Sequence, residues 1–208
     1  MFRGLFGFGR PRTRLNDEAS ATDIADRLIG MGYLKFVAPS DHPLVRQDLI
    51  EALRDGYVDS KWDRHCDARD HRSYEADAED LAEGGVGAAI LRMRDVLRSE
   101  GVGPLMSVHD HLEDEDDGYR VEIDGVTHVV WKPEDDGQDS WMMATRRLLE
   151  IVNALLAKAG STEHLYGVYG GHDGRVILMT CEMHAYLRSL GPSIDRKWMP
   201  VPCTNTDD

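Results

Sequence analysis

The stretch from Asp139 to Leu190 constrains the fold more than any other. Trp141, Leu148, Leu149, Val152, Leu155, Leu156 and Ala159 recur at the three-and-four spacing of one buried helix face. Asp139 or Ser140 supplies the start cap, and Gly160 stands where a left-handed stop is wanted. Some twenty residues at about 1.5 Å each span roughly 30 Å, the width of a small domain. Leu165-Tyr-Gly-Val-Tyr169 and Arg175-Val-Ile-Leu-Met179 follow, separated by Gly170-Gly-His-Asp-Gly174, which predicts a β-hairpin. Thr180 then caps a closing helix through Leu190, halted by Gly191 and Pro192.

A second hairpin precedes the long helix. Tyr119 to Ile123 alternates with period two, Asp124-Gly125 is a favoured two-residue turn, and Val126 to Trp131 returns. Upstream the pattern is helical. Thr22 or Asp23 caps a helix to Met31, Leu44 to Asp55 forms another, and Val86 to Ser99 a third. A short acidic helix is expected over Ala76 to Ala82, broken by Gly84-Gly85. Tyr33 to Val37 reads as a short extended piece, and Tyr57 to Tyr74 as an irregular polar loop. The expected class is α+β: an antiparallel sheet built from the two hairpins, covered by helices on one side. The expected organisation is a flexible arm over 1–20, one domain over 21–198 and a frayed tail over 199–208. Within that domain, 21–103 is helical and 104–191 carries the hairpin–helix–hairpin–helix unit.

The 208 residues are 41% hydrophobic and 30% charged, with a net charge of −14. That excess disfavours broad binding to nucleic acid or anionic membrane and favours a basic partner. No apolar run approaches the roughly 20 residues of a membrane span. The three cysteines, Cys66, Cys181 and Cys203, are far apart and form no CxxC, which points to a reducing cytoplasm. The arm Met1 to Arg10 lacks the apolar core and cleavage site of a secretory signal. The Gly170 to Gly174 turn lacks the Lys-Ser/Thr of a phosphate loop and serves the backbone.

Acidic residues are the first candidates for function. Asp110, Glu113, Asp114, Glu115, Asp116 and Asp117 crowd one short block, and Glu134, Asp135 and Asp136 form another. Each reads either as a solvated loop or as a surface that steers a basic protein. Trp131 and Trp141 flank the second block and could anchor such an interface. Calcium is disfavoured, since the spacing is not that of an EF-hand. His65, His71, His109 and His111 with neighbouring carboxylates offer an alternative metal site, although no HExxH or CxxC spacing supports it. Cys181 falls in the first turn of a helix, where a thiol is either reactive or structural. Nothing in sequence orients His164, His172 or His184.

The segment Leu148 to Thr180, ending Leu-Tyr-Gly-Val-Tyr-Gly-Gly-His-Asp-Gly-Arg-Val-Ile-Leu-Met-Thr, resembles small acidic bacterial proteins, some of them similar to immunity proteins of toxin–immunity pairs. The resemblance covers under half the chain and implies a cytoplasmic inhibitor, not an activity; it assigns no residue a role, and no cofactor is expected. The expectation is a non-enzymatic binding protein that neutralises a basic, nuclease-like toxin through its acidic surface. The alternative is a metal-dependent hydrolase.

Overall fold

The computed structural model describes residues 18–60, 69–104, 107–112, 118–133, 140–169, 174–191, 194 and 196–203. The chain is α+β. In order it forms α1 (Glu18–Gly30), α2 (His42–Arg54), β1 (Ser73–Glu75), α3 (Ala78–Asp80), α4 (Val86–Arg92) and α5 (Arg94–Ser99). Then come β2 (Val108–His111), β3 (Tyr119–Ile123), β4 (Val126–Trp131), α6 (Ser140–Lys158), β5 (Glu163–Tyr169), β6 (Arg175–Thr180) and α7 (Cys181–Ser189).

Both expected hairpins form, and each gains a third strand. One sheet runs β1-β6-β5 and the other β2-β3-β4, all antiparallel. The β3–β4 turn is the Asp124-Gly125 pair, both residues at positive φ (49° and 80°), as a type I′ turn requires. The long helix and the closing helix stand where their periodicity put them. Thr180 caps α7 by accepting from the Met183 amide at 3.2 Å.

The β5–β6 hairpin sits between two apolar cores rather than under one helical layer. Leu165, Val176 and Leu178 face α4, α5, α6 and the second sheet; Tyr166, Val168, Ile177 and Met179 face α1, α2 and α7. A strand covered on both faces needs no alternation, which is why β6 reads as continuous Val-Ile-Leu-Met. The outer edge of β5 is closed too. Asn153 of α6 receives the Leu165 amide at 2.7 Å and donates to the Leu165 carbonyl at 3.1 Å. Two residues on, Gly167 and Val201 exchange amide hydrogen bonds of 3.0 and 2.7 Å. Val201, in the stretch expected to fray, therefore pairs with a sheet edge that would otherwise be open there.

Four other expectations are corrected. Tyr33–Phe36 is a 3-10 turn, not extended, because Gly32 at φ 97° reverses the chain at the end of α1. Ser73–Glu75 forms a strand inside the stretch expected to be irregular. The helix expected over Val86 to Ser99 is split at Met93, where φ and ψ are −87° and −2°. The start of α1 also lies earlier than either expected cap, at Glu18.

Candidate functional site

Asp110 lies in β2, paired with Val121 of β3, so it belongs to a strand rather than to the acidic loop of the sequence reading. Its Oδ1 accepts the Gly87 amide at 2.9 Å and a short bond from the Tyr119 hydroxyl. The same hydroxyl accepts the Val86 amide at 2.9 Å. Two first-turn amides of α4 are thus satisfied by a strand tyrosine and a strand carboxylate. Burial pushes the Tyr119 hydroxyl far above its usual range, and its bond to Asp110 pushes the same way, so it stays a donor. Asp110 itself remains exposed to solvent.

The two tryptophans are half-buried against the first core. Trp131 donates its Nε1 hydrogen to the Ala82 carbonyl at 3.2 Å, which fastens β4 to the turn after α3. Trp141 opens α6 and packs on the same core. The acidic runs Glu113, Asp114, Glu115, Asp116, Asp117 and Glu134, Asp135, Asp136 lie outside the described residues, as does His65.

Among the other histidines, His71 and His109 are exposed. His111 stands 3.9 Å from Glu122 across the sheet, and His109 pairs with that same Glu122 in register. Among the described residues, no three His, Cys, Asp or Glu side chains group as a metal would need.

The structure adds a cleft that sequence reasoning did not single out. The chain after α3 makes a five-residue wide turn, Leu81–Gly85, whose Gly84 takes φ 104°. Asp77, Asp80 and Glu83 line this cleft with Leu81, Gly84, Gly85, Ala88 and Arg92. Asp77 caps α3, accepting the amides of Glu79 and Asp80 at 2.9 and 3.3 Å. Arg92, at the rim, donates to the Glu75 carbonyl at 3.2 Å. The wall at Gly84 abuts Leu112: a methyl placed on Gly84 would lie 3.8 Å from the Leu112 side chain. Leu112 immediately precedes the acidic run Glu113 to Asp117 in sequence. The available signal was the acidic helix broken by Gly84-Gly85; its approach to Leu112 is a long-range fact.

Apart from this cleft, Cys181, His164 and Tyr166 converge. Cys181 Sγ lies 3.7 Å from His164 Nδ1 and 3.8 Å from the Tyr166 hydroxyl. The Tyr166 ring stacks on His184 at 4.5 Å, tilted 30°. His184 Nε2 is 2.9 Å from the Pro200 carbonyl, which makes it the donor there. No family model, curated protein or solved structure matches this chain.

Proposed function

We propose that this chain is a non-enzymatic binding protein, an immunity-type inhibitor, whose acidic face occludes the basic cleft of a nuclease-like toxin in the cytoplasm. The observation that carries the reading is the cleft lined by Asp77, Asp80 and Glu83, with Leu112 next to its Gly84. In sequence, five consecutive carboxylates begin at the residue after Leu112. Three carboxylates against the one Arg92 leave the cleft lining net negative, and a cationic partner would relieve their mutual repulsion. Such a surface steers encounter with a basic partner and loses its reach within a Debye length, roughly 8 Å at physiological salt. The charge of −14 over the whole chain acts in the same direction.

The test uses the product of the gene adjacent to the one encoding this chain. The expected result is that this product arrests growth when expressed alone and that co-expression of the present chain restores it. A variant carrying D80N, E83Q, E113Q, D114N, D116N and D117N should associate at least about tenfold more slowly at low salt, with a flatter salt dependence. Rescue or binding that is indifferent to those six changes, or an adjacent product that this chain neither binds nor neutralises, overturns the reading.

A further inference from the structure

The Cys181 cluster is independent of the acidic face. His164 and Tyr166 are alternate residues of β5 and so share one face of the sheet. Their ladder partners are Met179 and Ile177, and Cys181 continues that series by two positions, at the point where the sheet face reaches solvent. The hairpin register therefore delivers an imidazole and a phenol to an exposed thiol. The Thr180 hydroxyl already accepts the Met183 amide, while the amides of Cys181 and Glu182 stand ahead of the first intrahelical bond. The other titratable groups around the thiol are Glu182, next on the helix, His184, stacked behind Tyr166, and Glu163, which is buried and committed to Arg72.

Cys203 makes the contrast. It is half-buried, its thiol donates to the Arg146 carbonyl at 3.8 Å, and burial pushes that thiol up, with the Glu150 charge adding to the shift. No imidazole stands by it among the interactions of the described residues.

We propose that Cys181 is a thiol-exchange site, with His164 as its base, that takes a small symmetric disulfide and holds half of it as a mixed disulfide. The thiolate is the nucleophile, and a neighbouring imidazole is one of the surroundings that generate it. In the Nε2–H tautomer of His164 the Cys181 proton passes to Nδ1, and the N–H of the imidazolium so formed is met by the Thr162 carbonyl at 3.3 Å. Sγ attacks one sulfur of RSSR; a new S–S bond forms as the old one breaks. The departing RS⁻ takes the proton back from His164. In sum, Cys181–SH and RSSR give Cys181–S–SR and RSH; the Cys181 sulfur is oxidised, the leaving sulfur is reduced, and excess thiol reverses the reaction. An open surface suits such a reagent, because the disulfide carries its own leaving group and needs no walled pocket.

The experiment incubates the full chain with oxidised glutathione at neutral pH and follows the adduct by intact mass and peptide mapping. The adduct is expected on the Cys181 peptide, forming about tenfold faster in the native protein than at the same cysteine in urea. H164Q should remove most of that advantage and move the rate–pH profile toward that of an unassisted thiol, while C203S leaves both unchanged. A native rate at Cys181 no greater than in urea, or a folded H164Q protein with an unaltered rate and pH profile, overturns the proposal. The native-to-urea ratio needs no variant, so a misfolding substitution does not blunt the test.

Discussion

Arg72 and Glu163 form a bidentate ion pair sealed from solvent, Nη1 to Oε2 at 2.8 Å and Nη2 to Oε1 at 3.1 Å, with side chains 0% and 1% exposed. The remaining guanidinium hydrogens go to the carbonyls of Tyr33, Gly32 at 2.7 Å and Leu178 at 2.9 Å. All five donors are used, and the plane lies over Phe36, 4.7 Å from its centroid. One side chain thus joins the turn after α1 to both strands of the central hairpin. Nearby, Arg175 meets Asp59 at 2.6 Å and Ser73 at 3.1 Å, and Ser60 donates to buried Asp70 at 2.6 Å.

Removing one partner of the Arg72–Glu163 pair strands a buried charge, so E163M or R72M should each cost about 3–5 kcal/mol. The double variant R72M/E163M should recover only part of that loss. Its two charges vanish together, but the carbonyls of Tyr33 and Leu178 lose their Arg72 donor, while that of Gly32 keeps the Lys35 amide at 2.9 Å. Urea unfolding midpoints of the four proteins in a double-mutant cycle check this; full recovery in the double variant would contradict the carbonyl argument.

Y119F deletes the hydroxyl that receives the Val86 amide and holds Asp110, and should destabilise by about 1–3 kcal/mol. D110A loses a capping carboxylate and should cost about 1 kcal/mol. A methyl on Gly87 would sit 2.5 Å from Asp110 Oδ2, so G87A should displace the same carboxylate. Because all three act on one network, their pairwise effects should be sub-additive when measured by chemical denaturation.

His128 and His184 are both held below the usual imidazole range by burial; for His184 the Arg188 charge adds to this and the Pro200 carbonyl opposes it. The unfolded chain binds these protons first. Stability is therefore fully present above the ordinary histidine value of 6.5 and is lost as pH falls below it. The urea midpoint should decline from pH 7.5 to 5.5, and H128N/H184N should show a shallower decline over that window.

Gly118 and Gly125 separate two costs. Both adopt positive φ, 74° and 80°. A methyl on Gly125 meets nothing within 4 Å, whereas one on Gly118 would lie 2.6 Å from the Trp131 carbonyl and 3.0 Å from the Lys132 backbone. G125A should lose only the conformational term, about 1–2 kcal/mol. G118A should lose that and distort the strand end besides, giving a clearly larger drop in thermal midpoint.

By itself the sequence determined the elements whose signal is local. The period of α6, the continuous apolar run of β6, the Asp124-Gly125 turn and the Thr180 cap are all readable within a few residues, because backbone geometry repeats over that distance. Tertiary structure decided the rest. β1 and β2 are three- and four-residue strands, Ser-Tyr-Glu and Val-His-Asp-His, with no alternation to announce them; they exist because an edge of β6 and of β3 lay open. Arg72 looked like one more charge in a polar stretch, yet it is the most enclosed cation described, since its five donors find their acceptors on elements up to 106 positions away. His164 reaches Cys181 through strand register, and the acidic cleft reaches Leu112 through the packing of α4 on β2. A hydrogen bond or an ion pair depends on where two groups meet in space, and composition along the chain carries no record of that meeting.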